Sequence, residues 1–127
     1  MVAATSSRFS YPRHPSPAEL LKQARELILL GYYTQSVATC RNALESAVCE
    51  LCIKHDIQTP PCGLHRWTQA VAKFLGYSKT KRKSLRLVVM LLNSGAHGIP
   101  ASAGDAAHCI FATEPLIEAA ERKGVRQ

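Results

Sequence analysis

Apolar residues recur at helical spacing in five segments of this chain, and residues that start or stop helices separate the segments. The sequence "SPAE" predicts the first start, because Ser16 can cap a helix while Glu19 bonds back to the cap; Gly31 predicts its end. Thr34 is the expected cap of a long second helix, which the sequence "DIQTPPCG" stops.

The other three helices are delimited in the same way. The residues that start or stop them are Gly76, Ser78 or Thr80, Gly95, Gly98, Pro100, and the second capping box of Ser102 and Asp105. The run "LVVMLL" at 87–92 would by itself suit a buried strand, but Leu85, Val88 and Leu92 continue a helical spacing. The predicted fold class is therefore all-α, a compact bundle of about five helices. We expect one core that includes Trp67, Leu85, Val89, Leu92 and Ile110.

The length of 127 residues suits a single domain. We expect a flexible N-terminal arm at 1–15, one helical domain at 16–123 and a flexible C-terminus at 124–127. The longest apolar run is far shorter than the roughly 20 residues that cross a bilayer, and the first residues lack the apolar stretch of a secretory signal. These features predict a cytoplasmic protein. The five cysteines are an odd number and mostly fall within helical patterns, which predicts reduced thiols.

The excess positive charge is concentrated in one part of the sequence. The formal net charge is +7, and residues 57–104 contain seven Lys or Arg and no Asp or Glu, while the charges elsewhere cancel. Such a concentration favours an anionic partner, nucleic acid first, although a solvated surface loop has the same composition. The candidate nucleic-acid-binding residues are Lys79, Lys81, Arg82, Lys83 and Arg86. Since no aromatic residue interrupts them, we expect contact with phosphates without sequence reading.

Thiol and imidazole side chains also cluster, between the second and third helices. They are Cys49, Cys52, His55, Cys62 and His65. Zinc needs four such ligands in a tetrahedron, but Cys49 lies on the polar margin of its predicted helix while Cys52 and His55 lie on the apolar side. We therefore expect small buried thiols, no metal and no cofactor. A cysteine nucleophile is not predicted either, because nothing in the sequence fixes a thiol beside His97.

The stretch "LLNSGAHGIP" at 91–100 contains the candidate catalytic pair, Asn93 and His97. With Arg82 and Arg86 they form one stripe on a helix, since these positions recur at close to whole turns. Arginines can hold a phosphate and an imidazole can move a proton near neutral pH, so the stripe has the chemistry for cleaving a phosphodiester. The alternative is that Asn93 and His97 only satisfy backbone groups at a helix end.

Two segments, "LLGYYTQSVATCRNALESAVCELC" and "LLNSGAHGIPASAGDAAHCIFATEPLI", resemble the HEPN superfamily (higher eukaryotes and prokaryotes nucleotide-binding) over roughly residues 17–121. The resemblance implies a helical bundle that commonly dimerises. Many members are metal-independent ribonucleases of toxin, antiviral or RNA-processing systems, with an arginine, a following polar residue and a histidine at the site. Asn93 and His97 match this pattern, whereas Leu92 occupies the position of the arginine.

The leading hypothesis is accordingly a catalytically weak or inactive HEPN-like module that binds a cognate partner protein or nucleic acid, which we expect to be RNA, in a toxin–antitoxin or defence context. The alternatives are a metal-independent ribonuclease with a rearranged Asn93 and His97 site, and a dimerisation or scaffold domain. Because the fourth helix is apolar around most of its circumference, we also expect a homodimer through the fourth or fifth helix.

Overall fold

The computed structural model describes residues 14–58 and 63–122, and in that part the chain forms five α-helices and no strand. The predicted flexible termini and Cys62 lie outside these residues, apart from His14 and Pro15. The helices are α1 (Pro17–Leu29), α2 (Tyr33–His55), α3 (Leu64–Phe74), α4 (Lys79–Ala96) and α5 (Ala103–Glu121). The prediction of an all-α bundle is confirmed. No helix in the described ranges is both long and apolar enough to span a membrane.

The long helix α2 is the centre of the bundle, because it packs against all four other helices. Its buried side chains recur at the helical spacing seen in the sequence, and they include Val37, Cys40, Leu44, Val48 and Leu51. Four of the five residues predicted for the core are buried, namely Leu85, Val89, Leu92 and Ile110. Trp67 is partly buried and packs against this core.

Three predicted caps are formed by local hydrogen bonds. Ser16 Oγ accepts from the Glu19 backbone N–H at 3.1 Å, and Glu19 Oε1 accepts from the Ser16 N–H at 2.7 Å. A second box joins Ser102 and Asp105 in the same way at the start of α5. Ser78 caps α4. Each bond satisfies a backbone donor that has no partner within the helix, so the start of each helix is fixed locally.

The structure corrects two predictions about helix ends. Thr34 does not cap α2, because the helix already begins at Tyr33; its Oγ1 accepts from the Ala101 N–H at 3.1 Å and so holds the loop before α5. Gly95 does not end α4, which continues to Ala96. It is buried against α2, where a β-carbon would lie 2.3 Å from Val37 Cγ1, so the two helices approach too closely for a side chain here.

Candidate nucleic-acid interface

The basic residues at the start of α4 are divided between two sides of the helix. Lys79, Arg82, Lys83 and Arg86, which we call the basic face, line a concavity of about 240 Å³ together with Gln69 of α3. Lys81 lies on the opposite side, in a groove between α4 and α5, with its Nζ 4.3 Å from the centre of the Tyr77 ring. The structure thus brings four of the five predicted binding residues together and separates the fifth from them.

Hydrogen bonds between α3 and α4 hold the concavity in shape. Gln69 Nε2 donates to the Arg82 carbonyl at 3.0 Å, and Arg82 Nη1 donates to the Tyr77 carbonyl at 3.0 Å. Arg82 is consequently half-buried and oriented, whereas Lys79, Lys83 and Arg86 are exposed. The basic face therefore combines one fixed guanidinium with three cations that can adjust to a ligand.

At the other end of α4, the candidate Asn93 meets an arginine from α2. Arg41 Nε donates to Asn93 Oδ1 at 2.9 Å, and Arg41 Nη1 lies 3.5 Å from Glu45 Oε1. Arg41 was not singled out as a candidate site residue in the sequence analysis. The signal was present: Thr34, Val37 and Arg41 recur at three and four residues and share a helix face. That face packs on the end of α4.

The candidate His97 follows directly after α4 as its C-terminal cap. Its backbone N–H donates to the Asn93 carbonyl at 3.2 Å, and its side chain is exposed. His97 and Asn93 are therefore neighbours one turn apart, as the sequence predicted. Because α4 is a continuous helix from Lys79 to Ala96, they also follow Arg82 and Arg86 along one side of it.

The described cysteines do not have the properties of nucleophiles. Burial raises the pKa of the Cys40 thiol to about 11 and that of Cys109 to about 12. Burial is also the main cause that raises the pKa of Cys49 and of Cys52. All four thiols are protonated at neutral pH, and only a thiolate attacks efficiently. Within residues 14–58 and 63–122, no three His, Cys, Asp or Glu side chains are grouped so that they could hold a metal ion.

A largely apolar surface lies on the side of α4 that faces away from the basic face, between α4 and α5. Phe111 is 74% exposed and borders the groove between these helices, which has a volume of about 480 Å³. It also borders a concavity of about 430 Å³ between α1 and α5. Phe111 is thus a large apolar ridge between two hollows, an arrangement typical of contact surfaces rather than of isolated exposed residues.

Two polar features therefore stand out on α4, with the basic face at its start and the Arg41 and Asn93 pair at its end. The basic face has the charge to hold anions. In the pair, the Arg41 guanidinium donates to Asn93, a residue that the sequence analysis had already singled out. Comparison of the chain with protein-family models, curated proteins and solved structures found no match.

Proposed function

We propose that this chain is a catalytically weak or inactive HEPN-like module that binds single-stranded RNA through its phosphate backbone. The observation that carries the proposal is the concavity of the basic face, which four cations and one amide line without any carboxylate. Phosphate oxygens accept hydrogen bonds from such groups, and each contact releases counterions from the nucleic acid. With no aromatic side chain among the lining residues, binding is independent of sequence.

The position of these cations also favours a binding role. The first turn of α4 contains basic residues and no acidic one. Cations at a helix N-terminus oppose the helix dipole, and each such charge costs roughly 0.3–1 kcal/mol. A surface selected only for solubility could avoid this cost by using Glu. A phosphate bound in the concavity offsets the repulsion, so phosphate binding explains why cations lie at this end of the helix.

A matched pair of single variants tests the proposal. We expect Lys83→Gln to weaken binding of a labelled oligouridylate and to lower the slope of log affinity against log salt by about 0.7, the value for one lost phosphate contact. Lys81→Gln removes the same charge from the same helix, but from the side of Tyr77. It should leave the slope unchanged. Equal slopes for the two variants would contradict the assignment of the basic face.

A metal-independent ribonuclease is the second candidate, favoured by the Arg41 guanidinium beside Asn93. On the leading proposal, the RNA recovered from the binding assay is intact, because the buried Leu92 occupies the position at which active members of the resembling family have an arginine. If the natural protein cleaves RNA and His97→Ala does not, the chain is a ribonuclease and the proposal of an inactive binding module is wrong. The cytoplasmic location and the toxin–antitoxin or defence context expected from the sequence stay predictions.

We also propose a symmetric homodimer, in which Phe111 of each copy packs into the partner's groove between α4 and α5. The groove has Lys81 on one wall and Glu118 on the other, so a two-fold axis can pair opposite charges twice. Light scattering should give a dimer for the natural protein and a monomer for Phe111→Ser. The control Ile53→Ser removes another side chain that is 83% exposed, on α2, and should stay dimeric. A monomeric natural protein at high micromolar concentration would exclude this dimer.

A further inference from the structure

Three contacts along one face of α2 hold the end of α4 and the loop after it. Thr34 Oγ1 accepts from the Ala101 N–H at 3.1 Å, Val37 packs on Gly95 without space for another atom, and Arg41 Nε donates to Asn93 at 2.9 Å. The contacts of Val37 and Arg41 both require α2 and α4 to approach this closely, and this approach is possible because Gly95 has no side chain. The position of the Arg41 guanidinium is therefore fixed by the packing of the bundle.

The positive charge of Arg41 is only weakly neutralised. Its closest partner is the neutral amide of Asn93, and Glu45, the one carboxylate within 4.0 Å of it among the described residues, is 3.5 Å away and 47% exposed. The Arg41 side chain is only 25% exposed, so it is partly withdrawn from water as well. Because the single carboxylate near it is long-range for an ion pair and largely solvated, this half-buried cation can still accept a second anion from a ligand. Its Nη2 edge makes no hydrogen bond to any residue of the described part.

Asn93 and His97 add donors beside this free edge. Because Asn93 Oδ1 accepts from Arg41, the amide Nδ2 of the same side chain keeps both of its protons for another acceptor. His97 lies one turn further on and is exposed, and its ring can donate a further N–H. A guanidinium, an amide and an imidazole thus occupy the junction of α2 and α4.

We propose that Arg41, Asn93 and His97 form a second anion site, which takes a phosphate group of the strand bound on the basic face. The site lies about 10 Å beyond Arg86 along α4, at 1.5 Å per residue, so one strand that follows the helix reaches both. This inference rests on the proposed function and adds the α2 cation to it. Glu45 orients Arg41 and at the same time competes with the phosphate for its charge.

The variant Asn93→Asp tests the site without unfolding the protein. The new carboxylate still accepts from Arg41, so the free energy of unfolding should be unchanged or higher. It also neutralises Arg41 and repels a phosphate. We expect the affinity for a labelled oligouridylate to fall about 10-fold to 100-fold, as for the loss of one charged hydrogen bond, with the salt slope lower by about 0.7. Glu45→Gln should raise the affinity, because it removes the competing carboxylate.

Asn42→Asp is the matched control, since it makes the same chemical change at an exposed position next to Arg41 on α2. It should leave the affinity close to that of the natural protein. If Asn93→Asp binds RNA like Asn42→Asp while Lys83→Gln binds more weakly, the second anion site is wrong and the basic face stands. If none of these variants changes the affinity, the proposed function fails together with the site.

Discussion

Gly95→Ala is expected to lower the melting temperature of the protein by about 4–8 °C. At an ordinary helix position this substitution stabilises by about 1 kcal/mol, because alanine restricts the unfolded chain. Here the added β-carbon would lie 2.3 Å from Val37 Cγ1 and 2.9 Å from Val37 Cβ. Overpacking of a core costs about 1–3 kcal/mol and sometimes more, so the clash outweighs the helix propensity. In a domain of this size each kcal/mol shifts the melting temperature by about 4 °C, so a net loss of about 1–2 kcal/mol gives the expected change.

Gly104→Ala is the control for this experiment. Gly104 also lies inside a helix, but the nearest atom to its added β-carbon would be Ser102 Oγ at 3.8 Å, an ordinary contact. This variant should be as stable as the natural protein or more so. Adding Val37→Ala to Gly95→Ala should recover part of the loss, because it removes the closest clashing atom. If Gly95→Ala melts at the same temperature as Gly104→Ala, the close approach of α2 and α4 is wrong.

Replacing the whole basic face with glutamine is expected to lower the affinity for RNA about 100-fold or more at low salt. Four cations line the concavity, and each phosphate contact on a single strand contributes about 0.7 to the salt slope. The variant changes Lys79, Arg82, Lys83 and Arg86 together. The salt slope should fall by about 2.8, which leaves only the contribution of about 0.7 from the second anion site. Circular dichroism should show unchanged helix content, since three of the four side chains are exposed.

A second variant with the same loss of charge separates local contacts from net charge. It replaces four exposed lysines that do not line the concavity, Lys22, Lys54, Lys73 and Lys81, with glutamine. Because none of these four side chains lines the concavity, this variant should retain most of the affinity. Equal losses in the two variants would mean that RNA responds to the overall charge and not to the concavity.

Local signals made the helix starts predictable from the sequence. The caps at Ser16, Ser78 and Ser102 depend on hydrogen bonds between residues three apart, which any reader of the sequence can identify. The two errors, at Thr34 and Gly95, have one cause. Each residue is a typical helix-end residue that instead contacts a distant element, namely Ala101 and Val37. The role of such a residue depends on which distant residue it contacts, and the sequence does not show that contact.

The candidate site residues on α4 could be predicted from the sequence, whereas the one on α2 could not. The helical repeat placed Arg82 and Arg86 on one side of α4, and applied consistently it would also have separated Lys81 from them. Arg41 is 52 residues away from Asn93 in the chain, so their hydrogen bond arises only when α2 packs on α4. The spacing of Thr34, Val37 and Arg41 shows that they share a helix face, but it does not show that this face packs on α4.

Leu92 shows why the expected arginine is absent from α4. It is fully buried in the core, so an arginine at this position would be an unpaired buried charge and would destabilise the bundle by several kcal/mol. The cation beside Asn93 comes from α2 instead. This arrangement keeps a guanidinium at this end of α4 without placing it in the core.

The most direct test of the proposed function is the salt dependence of RNA binding by the natural protein. Fluorescence anisotropy of a labelled oligouridylate would be measured at several salt concentrations between 50 and 200 mM. Four phosphate contacts on the basic face predict a slope of log affinity against log salt of about −3, which is a fall of about 50-fold over this range. A slope near zero, or no binding at 50 mM salt, would contradict the proposal that this chain binds nucleic acid through the basic face.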